Sequence, residues 1–276
     1  MGNVIAYWGA RAGQTGSSSN LVSSAAVLAM DYVSRILVAH TQYGGSLVED
    51  AFRRQQRSLD EMSLRYSQLG IDSLEMLARS GQLTPAMMKD YTTPVFSGSL
   101  DLLPGTNKPD RHMLMSMHEV AGSICEAARS AYDLTLLDVG SGEGDSLMEA
   151  MLDSADLVVV SLSQNMSMLR QFFHHPPTWL DSKKVVLVIG QYDSSSRLTA
   201  TNIRRLFKIK APLFTIPHSS GYMDACNEQR VVEFFLKRKH VQRDQPDYGL
   251  LQEVRKLNRG IFDALAVDHN MFAKEA

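Results

Sequence analysis

The sequence predicts an α/β fold: a doubly wound, mostly parallel sheet of about seven strands flanked by helices. Three observations predict it. Short apolar runs recur at 4–8, 35–41, 100–103, 134–139, 157–162, 185–190 and 213–216. Most of them are uninterrupted rather than alternating, which is how strands covered on both faces read. Segments with helical periodicity separate them, and that alternation implies right-handed crossovers between parallel neighbours.

Each element has its own justification. The first strand, 4–8, runs into a turn rich in Gly, Ala and Ser, and a small-residue helix is expected over 17–34. The second strand, 35–41, is followed by a long excursion from 43 to 98, expected to hold short helices at 46–58, 73–79 and 85–90. A helix over 110–131 precedes the strand at 134–139. Further helices over 146–152, 166–173 and 201–207 alternate with the remaining strands. Residues 1–236 form one domain in this reading. Residues 237–248 (KRKHVQRDQPDY) are polar and read as a linker, and 249–276 carries a last helix that packs on the domain or on a partner.

Composition narrows the function classes. With 276 residues, 44% hydrophobic and 21% charged, the chain fits one large globular domain. The net charge of −2 gives no whole-protein field toward nucleic acid. Two cysteines, Cys125 and Cys226, are too few for a disulfide framework, and a cytoplasmic location is expected. No signal-peptide pattern and no apolar run of membrane-spanning length is expected.

The segment VIAYWGARAGQTGSS at 4–18 has the strand, loop and helix order of a phosphate-binding loop, but a lysine is missing from it. Backbone N–H groups and a helix N-terminus can still attract phosphate. An apolar strand ends in Asp138, followed by the glycine-rich GSGEG, where a carboxylate can hold a Mg²⁺-bound water. His40 at the end of the second strand is a weak candidate base, although a plain polar strand end explains it as well. The pair His174-His175 has no further ligand at metal spacing and reads as a loop. Met113, Met115 and Met117 lie in a stretch that reads as a plain core helix, with a partner surface as the other reading.

These pieces together resemble the ParA/MinD family, the deviant Walker A branch of P-loop ATPases, over roughly residues 3–236. The family pattern Gly-Lys-Gly-Gly-x-Gly-Lys-Thr-Thr falls on Ala10, Arg11, Ala12, Gly13, Gln14, Thr15, Gly16, Ser17 and Ser18. Arg11 then replaces the signature lysine, Gly16 replaces the main lysine, and Ser17 keeps the hydroxyl that holds Mg²⁺. The resemblance implies a Walker B role for Asp138, with Ser17 and Asp138 as the Mg²⁺ pair. It also implies that Gln191, Pro217, His218 and Ser219 stand where relatives touch adenine and ribose. Where the family has a water-positioning aspartate, this chain has His40. Residues 70–106, Asn202-Ile203-Arg204-Arg205 and the Ile216-Pro217-His218-Ser219 turn are similar to the atypical TadZ/CpaE pilus-assembly group, whose loop is also eroded.

The resemblance implies a spatial organiser or assembly factor for a pilus or secretion apparatus. It would act as a nucleotide-favoured homodimer with a protein partner, binding ATP or ADP with Mg²⁺ and hydrolysing slowly or not at all. Two alternatives stand beside it. One is a nucleotide-free pseudo-ATPase scaffold without cofactor. The other is an unorthodox DNA- or cargo-partitioning ATPase that uses Arg11 in place of the lysine, with Lys237, Arg238, Lys239, His240 and Arg243, joined by Arg204, Arg205, Lys208 and Lys210, as a candidate DNA surface. A DNA partner is not favoured, because a solvated face explains those charges. Membrane-surface binding by the last helix is not expected, since Leu250, Val254, Leu257, Ile261 and Leu265 form an ordinary apolar stripe.

Overall fold

A computed structural model describes residues 1–52, 69–96 and 98–268. One eight-stranded sheet runs through them, in the order β3-β4-β2-β5-β1-β6-β7-β8. The strands are β1 (Asn3–Gly9), β2 (Ile36–His40), β3 (Thr93–Phe96), β4 (Leu100–Leu102), β5 (Leu134–Ser141), β6 (Leu157–Leu162), β7 (Val185–Tyr192) and β8 (Leu213–Pro217). All neighbours are parallel except β3, which pairs antiparallel with β4. The fold is therefore the doubly wound α/β architecture expected, with one strand more than expected. Thr93-Pro94-Val95-Phe96 does not look like a strand because proline cannot donate to a ladder. At the sheet's outer edge that missing donor costs nothing, and β3 occupies that edge.

Helices cover both faces. One face is packed by α1 (Ser17–Asp31), α2 (Leu47–Phe52), α9 (Ser220–Asn227), α10 (Val231–Lys237) and α11 (Tyr248–Leu265), against Ile5, Tyr7, Val38, Leu136 and Val159. The other face is packed by α3 (Ile71–Arg79), α4 (Arg111–Met115), α5 (Ala121–Ala131), α6 (Ser146–Ser154), α7 (Met166–His174) and α8 (Ala200–Leu206), against Val4, Ala6, Trp8, Leu137 and Val160. Alternate residues of β1 thus serve opposite layers, the period-2 consequence of a strand buried on both sides.

Some helix boundaries differ from the expected ones. The single helix expected over 110–131 is α4, a 3₁₀ turn at Ser116–Glu119, and then α5. Arg79 explains the break: its guanidinium donates to the Ser116 carbonyl at 2.7 Å and to Glu119 at 2.6 Å. The Ser116 carbonyl therefore takes a side-chain donor, while the Val120 N–H turns to Met117. Met117 is buried and Met113 half exposed, so only part of the methionine run enters the core. Residues 53–58 of the helix expected over 46–58, and residues 269–276, lie outside the described residues. Helices α9 and α10 lack a long periodic signal. Each has at most eight residues, and Gln229, in the left-handed region with φ 60°, separates them.

Residues 237–248 form a close turn between α10 and α11. Arg238 donates to Asp247 at 2.8 Å and stacks over the Phe234 ring at 3.7 Å, while Ser219 donates to the same carboxylate at 2.6 Å. Helix α11 lies beside α1 and β8, with Leu250, Val254, Leu257 and Ile261 buried and Leu265 packed at the margin. Gly260 permits the approach, because a Cβ there would meet the Phe214 ring at 2.1 Å.

A buried polar chain crosses that layer. The Tyr7 hydroxyl donates to Ser24 Oγ at 2.8 Å, and Ser24 Oγ donates to Asn258 Oδ1. Asn258 Nδ2 in turn donates to the Ser24 carbonyl at 3.3 Å. Removing the amide strands a buried hydroxyl, so Asn258→Ala is expected to lower unfolding stability by about 1–3 kcal/mol. Urea denaturation with an unchanged slope would report it.

Candidate functional site

The loop between β1 and α1 sits outside the carboxyl ends of the strands, where β1 lies between β5 and β6. That crevice is where open α/β sheets place ligands. Two glycines let the loop lie tightly on the sheet. A Cβ on Gly9 would meet Thr15 Oγ1 at 2.6 Å, and a Cβ on Gly190 would meet the Thr15 carbonyl at 2.2 Å. Thr15 is accordingly buried, while Ala12, Gly13 and Gln14 are exposed. Gly13 and Gly16 take left-handed φ values of 68° and 65°. Gly16 is the N-cap of α1 and no side chain caps the helix, so its first N–H groups face the loop. The resulting cavity, of about 280 Å³, is bounded by Gly13, Gly16, Ser17, Ser18 and Gln191, with Leu47, Met223, Cys226 and Asn227 closing it. No Lys or Arg is among these residues.

Asp138 forms the floor beside this loop. It is fully buried and in register with Tyr7 of β1 and His40 of β2. Ser18 Oγ donates to Asp138 Oδ2 at 2.5 Å, and the Gly140 N–H donates to Oδ1 at 3.2 Å. The Gln42 side chain adds a further hydrogen bond. Burial pushes the carboxyl pKa up, and the donors from Ser18, Gly140 and Gln42, with His40 nearby, only partly offset it. The hydroxyl that meets Asp138 is therefore that of Ser18 rather than Ser17. Ser17 Oγ is buried without a hydrogen-bond partner. The family pattern laid on the sequence puts the missing lysine at Gly16, the left-handed residue just before the helix begins, and the Mg²⁺ hydroxyl at Ser17, which does not meet Asp138.

Other sequence candidates are placed differently from expectation. Arg11 turns away from the cavity, and its guanidinium donates to Gln171 Oε1 of α7 at 2.8 Å. His40 is buried with both ring nitrogens engaged. Nδ1 accepts from the Gln42 N–H at 3.2 Å, so the proton sits on Nε2, 2.9 Å from Glu49 Oε1. Both ring nitrogens thus face protein groups, Glu49 on one side and the Gln42 N–H on the other. Gln191 does reach the loop: its side chain lies over Gly16, and its backbone holds a left-handed φ of 51°. His218 Nδ1 lies 2.8 Å from Gln191 Oε1. Pro217 ends β8 against Tyr192. Ser219 is committed elsewhere, capping α9 at the Tyr222 N–H and donating to Asp247.

Sequence reasoning missed Gln42, Met223, Cys226 and Asn227. Gln42 lies one turn of chain past the strand end where an acid was sought. The other three lie on α9, a helix with no periodic signal of its own. Among the described residues, no cluster of three or more His, Cys, Asp or Glu side chains is set to hold a metal, His174 and His175 included. In the basic segment, Arg238 is engaged by Asp247 and Lys237 pairs with Glu233. Arg204, Arg205, Lys208 and Lys210 are exposed. No helix of the described residues is long and apolar enough to cross a membrane.

The raised Asp138 pKa carries a stability consequence. Its folded-state pKa lies above the unfolded value of ~3.9, so the group favours folding most below that value and loses the benefit as pH rises through the folded pKa. Asp138→Asn, which keeps one acceptor for Gly140, is expected to raise the melting temperature at pH 7, and the gain should shrink as pH falls toward ~4. Thermal melts across that range would test this.

No protein-family model and no curated protein sequence matches the chain. Solved structures do. A ParA family ATPase from Chlorobium tepidum TLS superposes with a TM-score of 0.69 at 14% identity, covering 94% of this chain and 98% of that one. The septum site-determining protein MinD of Pyrococcus horikoshii OT3, complexed with Mg-ADP, gives 0.68 at 14% identity, with 95% and 96% covered. MinD of Aquifex aeolicus in its MinC complex gives 0.66 at 15% identity, with 95% and 96% covered. The chain has the fold of the ParA and MinD ATPases over nearly its whole length.

Proposed function

We propose that this chain is a ParA/MinD-like spatial organiser or assembly factor whose nucleotide site has lost its hydrolytic parts. The observation that carries the reading is the Ser18–Asp138 contact beside an uncapped helix N-terminus, in a loop cavity without a cation. The residues present fit a Mg²⁺–phosphate group in part. Ser18 and Asp138 would hold the ion, and the α1 N–H groups would face the phosphate oxygens. A bound Mg²⁺ would supply charge neutralisation at the phosphates, the lysine's own share being absent. The remaining requirements of phosphoryl transfer are positioning and transition-state charge compensation. His40 is locked, Arg11 is held by Gln171, and Ser17 is a small neutral side chain. Hydrolysis is accordingly slow or absent.

In this reading the bound state favours a homodimer formed across the loops, and the output is contact with a protein partner. The Mg-ADP of the Pyrococcus horikoshii MinD and the MinC of the Aquifex aeolicus complex are consistent with that mode of action. The similarity to the TadZ/CpaE group points to a pilus or secretion apparatus as the assembly served, in the cytoplasm. A second reading, a nucleotide-free scaffold, is favoured by one specific contact: Gln191, tied to His218, lies over Gly16 at the mouth of the cavity.

Calorimetric titration with ATP and ADP, with and without Mg²⁺, separates the two readings. The organiser reading expects Mg²⁺-dependent binding that Asp138→Ala abolishes. Absence of binding at millimolar nucleotide leaves the scaffold. The loop alignment has its own test. Ser17→Lys is expected to tighten binding roughly tenfold or more, the worth of one charge-assisted hydrogen bond. Gly16→Lys is expected to weaken it and to lower stability, because φ 65° suits glycine. The reverse ranking would support the alignment that puts the missing lysine at Gly16.

A further inference from the structure

A second cavity, of about 380 Å³, opens on the other side of the β1–α1 loop. Trp8, Phe172 and Trp179 line it, with Glu143 and Glu149 among its polar residues. Trp8 meets Trp179 edge to face with ring centroids 5.2 Å apart, and Phe172 is tilted against Trp8 at 6.1 Å. Trp8 is itself fixed, since its indole N–H donates to the Gly142 carbonyl at 3.1 Å. Glu143 and Glu149 are exposed and make no ion pair among the described residues. No Lys or Arg lines the cavity.

The half-buried indole of Trp179, backed by the buried rings of Trp8 and Phe172, and two carboxylates without an ion pair among the described residues together recognise one kind of group. Ring quadrupoles attract cations, most strongly at indole, and carboxylates pair with guanidinium in a planar, bidentate manner. The rim already holds such a group: Arg11 docks its guanidinium on Gln171, a residue that lines the cavity. We propose that this cavity is a binding site for a guanidinium cation, carried by a polypeptide side chain or by a small molecule. Its two arms, the strand end at Trp8 and the loop at Gly142, lead directly to the nucleotide loop and to Asp138. The proposal does not require nucleotide to bind.

Both tryptophans of the chain line this cavity, so intrinsic fluorescence reads it without a label. The intact protein would be titrated at constant ionic strength with N-acetyl-arginine amide, with N-acetyl-citrulline amide as the neutral isostere, and with the peptide Gly-Gly-Arg-Gly-Gly. A saturable change with the arginine compound and none with the citrulline compound is expected. The double variant E143Q/E149Q is expected to bind about fivefold more weakly, the scale of two partly solvated ion pairs. Tighter binding of the peptide than of the capped amino acid assigns the cation to a polypeptide partner, and equal binding assigns it to a small guanidinium compound. Equal responses to the arginine and citrulline compounds, no saturable change, or an unaffected double variant would overturn the proposal.

Discussion

A carboxylate sealed from water has to collect its hydrogen bonds from the protein, and Asp138 collects them from three separate pieces of chain. Ser18 comes from the start of α1, Gly140 from the loop after β5, and Gln42 from just beyond β2. Satisfying that one group therefore fixes how α1 begins, how the β5 loop leaves the sheet and where β2 ends. Gly9 and Gly190 complete the constraint by allowing the loop to settle on β1 and β7, where any side chain would collide with Thr15. The rest of the crevice is arranged around that anchored loop.

The energetic character of the site follows. An ordinary phosphate loop offsets its ligand's charge with a buried cation. Here no Lys or Arg lines the cavity, Arg11 of the loop is turned to Gln171, and the carboxyl beside the loop, Asp138, is buried at a cost to its charged form. The loop retains the neutral parts of an anion site, namely left-handed glycines, backbone N–H groups and hydroxyls. It lacks the part that makes such a site strong. The Ser17 hydroxyl beside it is buried without a hydrogen-bond partner.

Much of this was legible in the residues. Seven strands announce themselves because continuous runs such as Leu157–Leu162 can be buried on both faces only in a covered parallel sheet. Asp138 was legible as a charge at the end of such a run. What escaped depends on tertiary context. β3 is disguised by Pro94, and the break after α4 is imposed by Arg79 from another helix. The engagement of His40 by Glu49, and of Arg11 by Gln171, joins residues that no local pattern connects. The one-residue placement of the serines was also beyond the sequence. In a run of three consecutive serines, only the backbone at Gly16 and the contact with Asp138 tell them apart.

The chain crossing from Tyr7 through Ser24 to Asn258 joins the first strand, the first helix and the last helix. Its consequence is one of order in time. As the chain emerges from synthesis, α1 is made early, yet one flank of it has no cover until α11 arrives more than two hundred residues later. Contacts of that separation form late and slowly. The helix that carries the loop is thus completed by α11, so the crevice takes its final shape only once that helix has packed beside α1.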